Sequence, residues 1–155
     1  IAKEVLIPAM DDIVAHHANV MGAENDAYYA PLLARHPEGI SANLTGRLQA
    51  GAKVTGGAYI RSRNARHTAY AGIEAVLDQH SAILTLSSCG PAPKGFATTG
   101  NAIFNGMWTL LGVPCVSLPL MTVDGMPCGV QLVGQRRDEA RLLQVARWLE
   151  QRMAA

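Results

Sequence analysis

Serine, cysteine and lysine side chains are crowded into the stretch Thr85–Asn101, which reads TLSSCGPAPKGFATTGN. Ser87 or Ser88 could attack a carbonyl carbon, but a serine nucleophile needs a base and an oxyanion hole. Lys94 is a candidate base, yet two prolines stiffen the chain between it and the serines. The G-x-S-x-G spacing of a nucleophile elbow is absent. A structural turn therefore explains the stretch better than a Ser88–Lys94 catalytic centre does.

The sequence gives little evidence for a catalytic thiol, a phosphate-binding loop or a metal site. Cys89 could act as a thiolate if a histidine stabilised its charged form, but His67 and His80 lie in or just after a predicted helix, with no defined geometry. We therefore predict a buried, unreactive Cys89, with a small thiol enzyme as the alternative. The spacing of a phosphate-binding loop is absent. The five histidines include no H-x-x-x-H pair, so we predict no metal and no cofactor.

Apolar runs and helical periodicity alternate along the chain, which is typical of an α/β fold. Prolines and glycines break up the segment 26–57, which predicts short helices and loops there. The last two predicted strands do not alternate cleanly between polar and apolar residues, which indicates strands covered on both faces. Asp124-Gly125 predicts a tight turn between them, and Pro119 and Pro127 predict irregular pairing near that turn. We therefore predict an α/β fold with part of a mixed β-sheet covered by helices on both faces. The predicted strands are Val5–Ile7, Ala82–Leu86, Cys115–Leu120 and Gly129–Val133. The predicted helices follow Asp11 or Asp12, span about 58–80 and about 102–111, and begin near Asp138, where the periodicity places Leu142, Ala146, Leu149 and Met153 on one apolar face.

The composition narrows the classes of partner. Charged residues make up 16% of the chain, below the roughly 25% of ordinary soluble domains, which predicts either a surface covered by another domain or copy, or a tightly packed fold. A net charge of +1 predicts neither nucleic acid nor a membrane surface as partner. Three cysteines without a CxxC pair predict free thiols and a cytoplasmic location. The opening IAKEVLIP lacks a methionine and suggests a processed or trimmed chain.

Five motifs follow one another in the second half of the chain. They are a strand with a proline-containing loop over Ala82–Pro93, T-G-N…F-N…W-x-x-L-G-x-P over Thr99–Pro114, S-L-P over Ser117–Pro119, G-x-P-x-G-V-Q-L-V-G over Gly125–Gly134, and D-E-x-x-L-L over Asp138–Leu143. Upstream, Tyr59 and Arg66 provide a looser match. In order and spacing these motifs resemble the C-terminal portion of amidase signature enzymes.

The resemblance implies an enzyme that hydrolyses or transfers amide C–N bonds through a Ser–cis-Ser–Lys triad. The triad belongs to an N-terminal half, and no G-G-S-S-G-G-S-like stretch occurs in this sequence. We therefore predict that residues 1–155 form the C-terminal part of one amidase signature domain, that they contain no catalytic residue, and that the chain alone is inactive. The resemblance leaves open a simple amidase, a carbamoyl hydrolase, a cyclic-amide hydrolase and an amidotransferase subunit.

The resemblance also implies that the loop borders the pocket of a small amide substrate. Phe104 and Trp108 lie one helical turn apart and could form an apolar wall or pack in the core. A second hypothesis is a non-catalytic interaction module, which pairs with a partner chain or, as a homo-oligomer, with itself. Thr99 or Asn101 can cap the following helix, and Asn105 needs a hydrogen-bond partner if it is buried. The predicted substrate-binding residues are Thr99, Gly100, Asn101, Phe104, Asn105 and Trp108.

Overall fold

The computed structural model of the chain describes residues 3–153, which contain helices, three β-strands and two short 3-10 turns. None of the helices in this range combines the length and the apolar character that crossing a membrane requires. The α-helices are α1 Ile13–Arg35, α2 Ala42–Gly51, α3 Gly56–Leu77, α4 Ile103–Leu111 and α5 Glu139–Met153, and the strands are β1 Ile83–Leu86, β2 Cys115–Val123 and β3 Met126–Val133.

The residues form two compact units. The helical unit comprises Ala9–Ala69, and the sheet unit comprises the residues up to Pro8 together with those from Tyr70 onward. Helix α3 contributes residues to both units. That the whole of 1–155 belongs to one amidase signature domain stays a prediction.

In the helical unit, α1 and α2 approach each other closely at Gly22 and Gly51. A Cβ atom on residue 51 would lie 2.7 Å from the carbonyl carbon of Gly22, a distance at which one of the two must shift. The absence of side chains at both positions therefore allows the two helix backbones to touch. At its other end, α2 is capped by Ser41, whose hydroxyl oxygen accepts a hydrogen bond from the Leu44 N–H at 3.3 Å.

Polar contacts join α1 to α3 within the same unit. Ser62 is 1% exposed, and its hydroxyl accepts a hydrogen bond from Asn19 Nδ2 at 3.1 Å and lies 3.1 Å from His16 Nδ1. The Tyr59 hydroxyl donates to Glu24 Oε1 at 2.8 Å. The buried serine hydroxyl is thus satisfied, as a polar group removed from water must be.

Helix α1 is longer than the sequence predicted, because it continues through Pro31 to Arg35. The prediction of short helices and loops over 26–57 was wrong for this first part of the segment. A proline within a helix removes one backbone donor, but Pro31 lies about one turn from the helix end, and its own carbonyl accepts from Arg35 Nε at 3.1 Å. The 3-10 turn Pro37–Gly39 and the short α2 follow, as expected from the remaining breakers.

The predicted strand Val5–Ile7 was wrong. These residues have no regular structure, and the 3-10 turn Pro8–Met10 follows them directly. A strand needs a neighbour for its backbone hydrogen bonds, and Pro8 ends the apolar run after three residues. Val5 and Leu6 are accordingly 39% and 87% exposed.

The three strands form one sheet in the order β1-β3-β2, with both neighbouring pairs antiparallel. The turn between β2 and β3 lies at Asp124 and Gly125, whose φ angles of 52° and 76° confirm the tight turn that this dipeptide predicted. The pairing of β2 with β3 shifts its register between Leu118 and Met121, beside Pro119. The irregular pairing expected from the prolines is therefore confirmed.

Helices cover both faces of the sheet. On one face Leu132 of β3 packs with Leu142 and Ala146 of α5. On the other face the adjacent Gln131 donates a hydrogen bond from Nε2 to the Phe104 carbonyl of α4 at 3.0 Å. Successive strand residues point to opposite faces, so this arrangement explains why β3 does not alternate cleanly. The predicted α/β fold with helices on both faces is confirmed, and the strand pairs among residues 3–153 are antiparallel.

Candidate functional site

The loop 87–102 begins at the end of β1, where it remains anchored to β3. The Ser87 N–H donates to the Gly129 carbonyl at 3.1 Å, and the Ser87 and Ser117 hydroxyl oxygens lie 2.7 Å apart. A Cβ atom on Gly129 would lie 2.6 Å from Ser117 Oγ and 2.8 Å from Ser87 Oγ. The serine pair therefore depends on glycine at position 129.

Gln131 joins the two ends of this loop. Its side chain is buried, and Nε2 donates to the Leu86 carbonyl at 3.4 Å, the Phe104 carbonyl at 3.0 Å and Asn105 Oδ1 at 3.5 Å. Asn105 Nδ2 in turn donates to the Ser87 carbonyl at 3.2 Å. This amide network ties the end of β1 to the first turn of α4. Asn105 thus has partners even though its residue is exposed.

Sequence reasoning did not select Gln131 as a site residue. Its signal was a single polar residue within the apolar run Val130–Val133. A polar side chain in such a run is buried at a cost unless it finds hydrogen-bond partners. That signal identifies a residue in need of partners, but the partners lie 26 to 45 residues away and become apparent only in the fold.

The entry into α4 is held by Asn101. Its Oδ1 accepts a hydrogen bond from the Ile103 N–H at 3.0 Å, while the N-cap residue Ala102 makes no side-chain cap. Of the two capping candidates, Asn101 therefore contacts the helix start. Within residues 3–153, Thr99 makes no side-chain hydrogen bond, and Gly100 has a φ of 97°, which favours glycine. All three residues are exposed.

Phe104 and Trp108 are both placed on α4 but differ in burial. Trp108 is 7% exposed and belongs to the core, and its Nε1 has no hydrogen-bond partner among the described residues. Phe104 is half-buried. The core-packing alternative thus describes Trp108, while Phe104 is only partly buried.

The reactive side chains of the loop do not form a catalytic group. The Ser88 hydroxyl donates to the Gly90 carbonyl at 2.6 Å, and its oxygen lies 3.9 Å from Cys128 Sγ. Lys94 is exposed and makes no hydrogen bond within residues 3–153. The Ser88 proton is therefore directed to a backbone oxygen rather than to a base. Nor do three His, Cys, Asp or Glu side chains come together as a metal site in the part of the chain that the structure describes.

The prediction of a buried Cys89 was wrong. Cys89 is exposed, while Cys128 on β3 is buried at 6% exposure. The physical reason is that Cys89 lies in the irregular loop beyond the end of β1, whereas Cys128 lies on β3, where it is paired with Met121 of β2. All three cysteines are free thiols, as predicted.

Cys115 differs from an ordinary thiol although the residue as a whole is exposed. Its sulfur lies 3.8 Å from the Val113 carbonyl, and burial raises the pKa of the thiol to about 11 from 9.0. Burial disfavours the charged thiolate, so at neutral pH the group is a protonated and weakly nucleophilic thiol.

We expect iodoacetamide to modify Cys115 roughly 100-fold more slowly at pH 8 than it modifies a cysteine-containing peptide, because the thiolate reacts and a raised pKa lowers its population. The rate constant should increase about tenfold per pH unit until the pH approaches the thiol pKa of about 11. The measurement uses the Cys89→Ser, Cys128→Ser double variant and mass spectrometry. Equal rates for protein and peptide at pH 8 would contradict the burial of this sulfur.

The C-terminal end of α4 is held by Arg136. Its guanidinium donates from Nε to the Leu111 carbonyl at 2.8 Å and also from Nη2, and it lies 3.6 Å from the centroid of the Tyr70 ring. Burial, with a contribution from Glu74, raises the pKa of Tyr70, while Arg136 opposes this shift. Together with Gly112, whose φ is 62°, this contact ends α4 where the sequence predicted.

Comparisons with known proteins find relatives among amidotransferase subunits. No protein-family model matches the chain. A glutamyl-tRNA(Gln) amidotransferase subunit from Pseudomonas fluorescens (strain SBW25) is 31% identical over 121 residues, which are 70% of this chain and 25% of that protein. The chain therefore spans about a quarter of this curated relative.

Solved structures agree with the fold. A crystal structure of an amidase superposes with a TM-score of 0.84 at 27% identity, covering 97% of this chain and 37% of that protein. A bacterial aryl acylamidase of the amidase signature family superposes with a TM-score of 0.65 at 18% identity, covering 88% of this chain and 32% of that protein. The second likeness concerns the fold alone, whereas the first extends to the sequence over nearly the whole chain.

Proposed function

Because the chain belongs to the amidase signature family as a C-terminal portion of it, we propose that it supplies part of the sheet and one wall of the substrate pocket of an enzyme that acts on amide C–N bonds. The observation that supports this role is the loop 87–102, whose two ends are tied together by Gln131. A loop anchored at both ends on a strand and a helix is a suitable scaffold for positioning a substrate.

The proposed mechanism takes its catalytic groups from outside this chain. The nucleophilic serine of a Ser–cis-Ser–Lys triad attacks the amide carbonyl carbon, and the amine or ammonia leaves. Water then hydrolyses the acyl-enzyme. Two observations support the proposal that the nucleophile lies elsewhere. The Ser88 hydroxyl donates to the Gly90 carbonyl, and Lys94 makes no hydrogen bond with Ser88. A small amide is the proposed substrate. The motifs allow four enzyme types, and the amide differs among them. The free thiols support a cytoplasmic setting.

The proposed contacts to the substrate come from the loop and the first turn of α4. The backbone of Gly100 and the amides of Asn101 and Asn105 are exposed donors and acceptors, and Phe104 presents part of an apolar ring. Thr99 adds an exposed hydroxyl. Trp108 contributes to the proposed pocket wall indirectly, because it is buried one helical turn from Phe104.

We expect no turnover of simple amides by the purified chain, because neither Ser87 nor Ser88 lies beside a base among the described residues. Ammonia release from acetamide, benzamide and glutamine is the measurement, with the solved amidase as positive control. Turnover by the wild-type chain that disappears in the Ser88→Ala variant would contradict the proposal that the catalytic serine lies elsewhere.

The wall itself is tested in a chimaera in which this chain replaces the matching segment of the solved amidase. We expect Phe104→Ala to raise KM for an aryl amide about tenfold, because the variant removes apolar contact area from the pocket. Phe96→Ala is the matched control, since the Phe96 side chain is fully exposed. Unchanged kinetics in Phe104→Ala, or equal losses in both variants, would count against the proposed wall.

A second candidate function is a non-catalytic module that binds a partner chain or a second copy. Exposed apolar residues on the sheet unit favour it, namely Leu84, Leu86 and Trp148. Light scattering of the purified chain separates this candidate from the first, because a monomer without tendency to associate would exclude self-pairing.

A further inference from the structure

Helix α1 carries apolar residues around most of its circumference. Among its 23 residues, the charged types Asp, Glu, Lys and Arg occur only at Glu24, Asp26 and Arg35. A helix that is apolar all round is expected to be covered all round. Within the helical unit, α1 contacts α2 at Gly22 and α3 at Asn19, and these contacts leave one face of the helix uncovered.

The uncovered face is a seam of residues that are alternately four and three positions apart. Three of its large apolar members, Val14, Met21 and Tyr28, are 45%, 40% and 76% exposed. The spacing is that of the a and d positions of a coiled coil, which pack one side of a helix against a partner helix. The seam consists of Val14, Ala18, Met21, Asn25, Tyr28 and Leu32.

The seam is complementary to a second copy of itself. In an antiparallel pair of α1 helices, the register that places Val14 of one copy opposite Leu32 of the other also places Ala18 opposite Tyr28. The smallest residue of the seam thus faces its largest, and the two remaining seam residues face each other. Because a two-fold axis relates the copies, each of these contacts occurs twice.

The two ends of α1 carry opposite charges that meet in the same register. Asp11 lies in the turn before the helix and Arg35 is its last residue, and both are exposed. Among residues 3–153 neither of them forms an ion pair. Antiparallel pairing brings Asp11 of each copy opposite Arg35 of the other, whereas parallel pairing would bring like charges together. Near the middle of the helix, the Glu24 carboxylate accepts from the Tyr59 hydroxyl of α3 at 2.8 Å and is therefore directed to α3.

We propose that two copies of this chain associate through an antiparallel pair of α1 helices. The seams pack as a short coiled coil, and the Asp11–Arg35 pairs at both ends set its direction. One helix pair is smaller than the roughly 1,600 Å² of a standard interface, so the dissociation constant is on the order of 10 μM. The inference is independent of the proposed function, because no residue of the proposed pocket wall belongs to the seam.

Sedimentation equilibrium of the purified chain tests the seam. Ala18→Lys and Ala27→Lys make the same substitution at two exposed alanines of α1, and Ala27 lies outside the seam. We expect Ala18→Lys to raise the dissociation constant of the dimer at least tenfold, because it buries an unpaired charge against Tyr28. Ala27→Lys should leave the constant unchanged. Equal constants for the two variants, or a wild-type chain that stays monomeric up to about 1 mM, would overturn the inference.

Charge reversal tests the antiparallel direction. Asp11→Arg and Arg35→Asp each place like charges at both ends of the dimer, so we expect each variant alone to associate about three- to tenfold more weakly at low salt. An equimolar mixture of the two variants restores opposite charges at both ends and should associate as tightly as wild type. A mixture no tighter than the separate variants would contradict the antiparallel pairing.

The remainder of the amidase is the competing occupant of the seam. A wild-type chain that stays monomeric but binds the separately produced remainder of the solved amidase, with that binding lost in Ala18→Lys, would overturn the inference. A wild-type chain that dimerises, and whose Ala18→Lys variant binds this remainder as tightly as wild type does, would support it.

Discussion

Gly51→Ala is expected to destabilise the helical unit by about 3 kcal/mol or more, the upper range of overpacking. The added methyl group would lie 2.7 Å from the carbonyl carbon and 3.2 Å from the Cα atom of Gly22, and it would overlap the carbonyl oxygen. These are backbone atoms, so no side-chain rotation relieves the overlap. Helices α1 and α2 would have to separate.

Gly46→Ala on the same helix is the matched control. Nothing lies within 4 Å of the position that its Cβ would take, so the helix propensity of alanine should stabilise α2 by up to about 1 kcal/mol. Gly22→Ala should have an intermediate effect, because its Cβ would meet the Gly51 Cα atom at 3.3 Å. Urea denaturation followed by circular dichroism measures all three variants. Equal midpoints for Gly51→Ala and Gly46→Ala would show that α1 and α2 do not touch at this point.

The second large effect is expected for Gln131→Leu, which should cost about 3 kcal/mol in the sheet unit. The substitution keeps the side chain buried but removes the donor to the Leu86 and Phe104 carbonyls, and an unsatisfied buried acceptor costs about 1–3 kcal/mol. The substitution thereby removes the hydrogen bonds that connect β1 to α4 through this side chain. Amide exchange of α4 and urea denaturation are the measurements.

Gln131→Glu should be worse than Gln131→Leu at neutral pH, because an ionised carboxylate would face acceptors and would be buried at 3% exposure. Burial raises the pKa of such a carboxyl, so the protonated form, which can donate, regains stability as the pH falls. Gln151→Leu on the exposed surface of α5 is the control and should be neutral. A Gln131→Glu variant as stable as wild type at pH 7 would exclude the proposed donor role.

Local chemistry made much of the sheet unit predictable. Gly112 ends α4 and Asp124-Gly125 forms the hairpin turn because a positive φ is least costly for glycine and, among other residues, for Asn and Asp. The face of α5 that carries Leu142 and Ala146 is buried as its periodicity indicated. The order of motifs from Ala82 to Leu143 can also be read directly from the sequence, and it sufficed to identify the family.

The candidate site was predictable in part. Of the six residues selected from sequence, Asn101 contacts the start of α4, Asn105 joins the network around Gln131, and Trp108 lies in the core. Their contacts with a substrate stay predictions. Gln131 was missed because its role consists of three acceptors on segments far apart in sequence.

The sequence by itself determined helix ends, turns and family membership, because each follows from the conformational limits of a few neighbouring residues or from motif order. Tertiary structure alone decided which glycine lies at a helix contact, that α1 passes through Pro31, and that Cys128 rather than Cys89 is buried. It also decided that β1 lies at an edge of the described sheet, since β3 is its sole strand partner among residues 3–153. Burial and close contact depend on what the rest of the chain brings near a residue, and no local pattern contains that information.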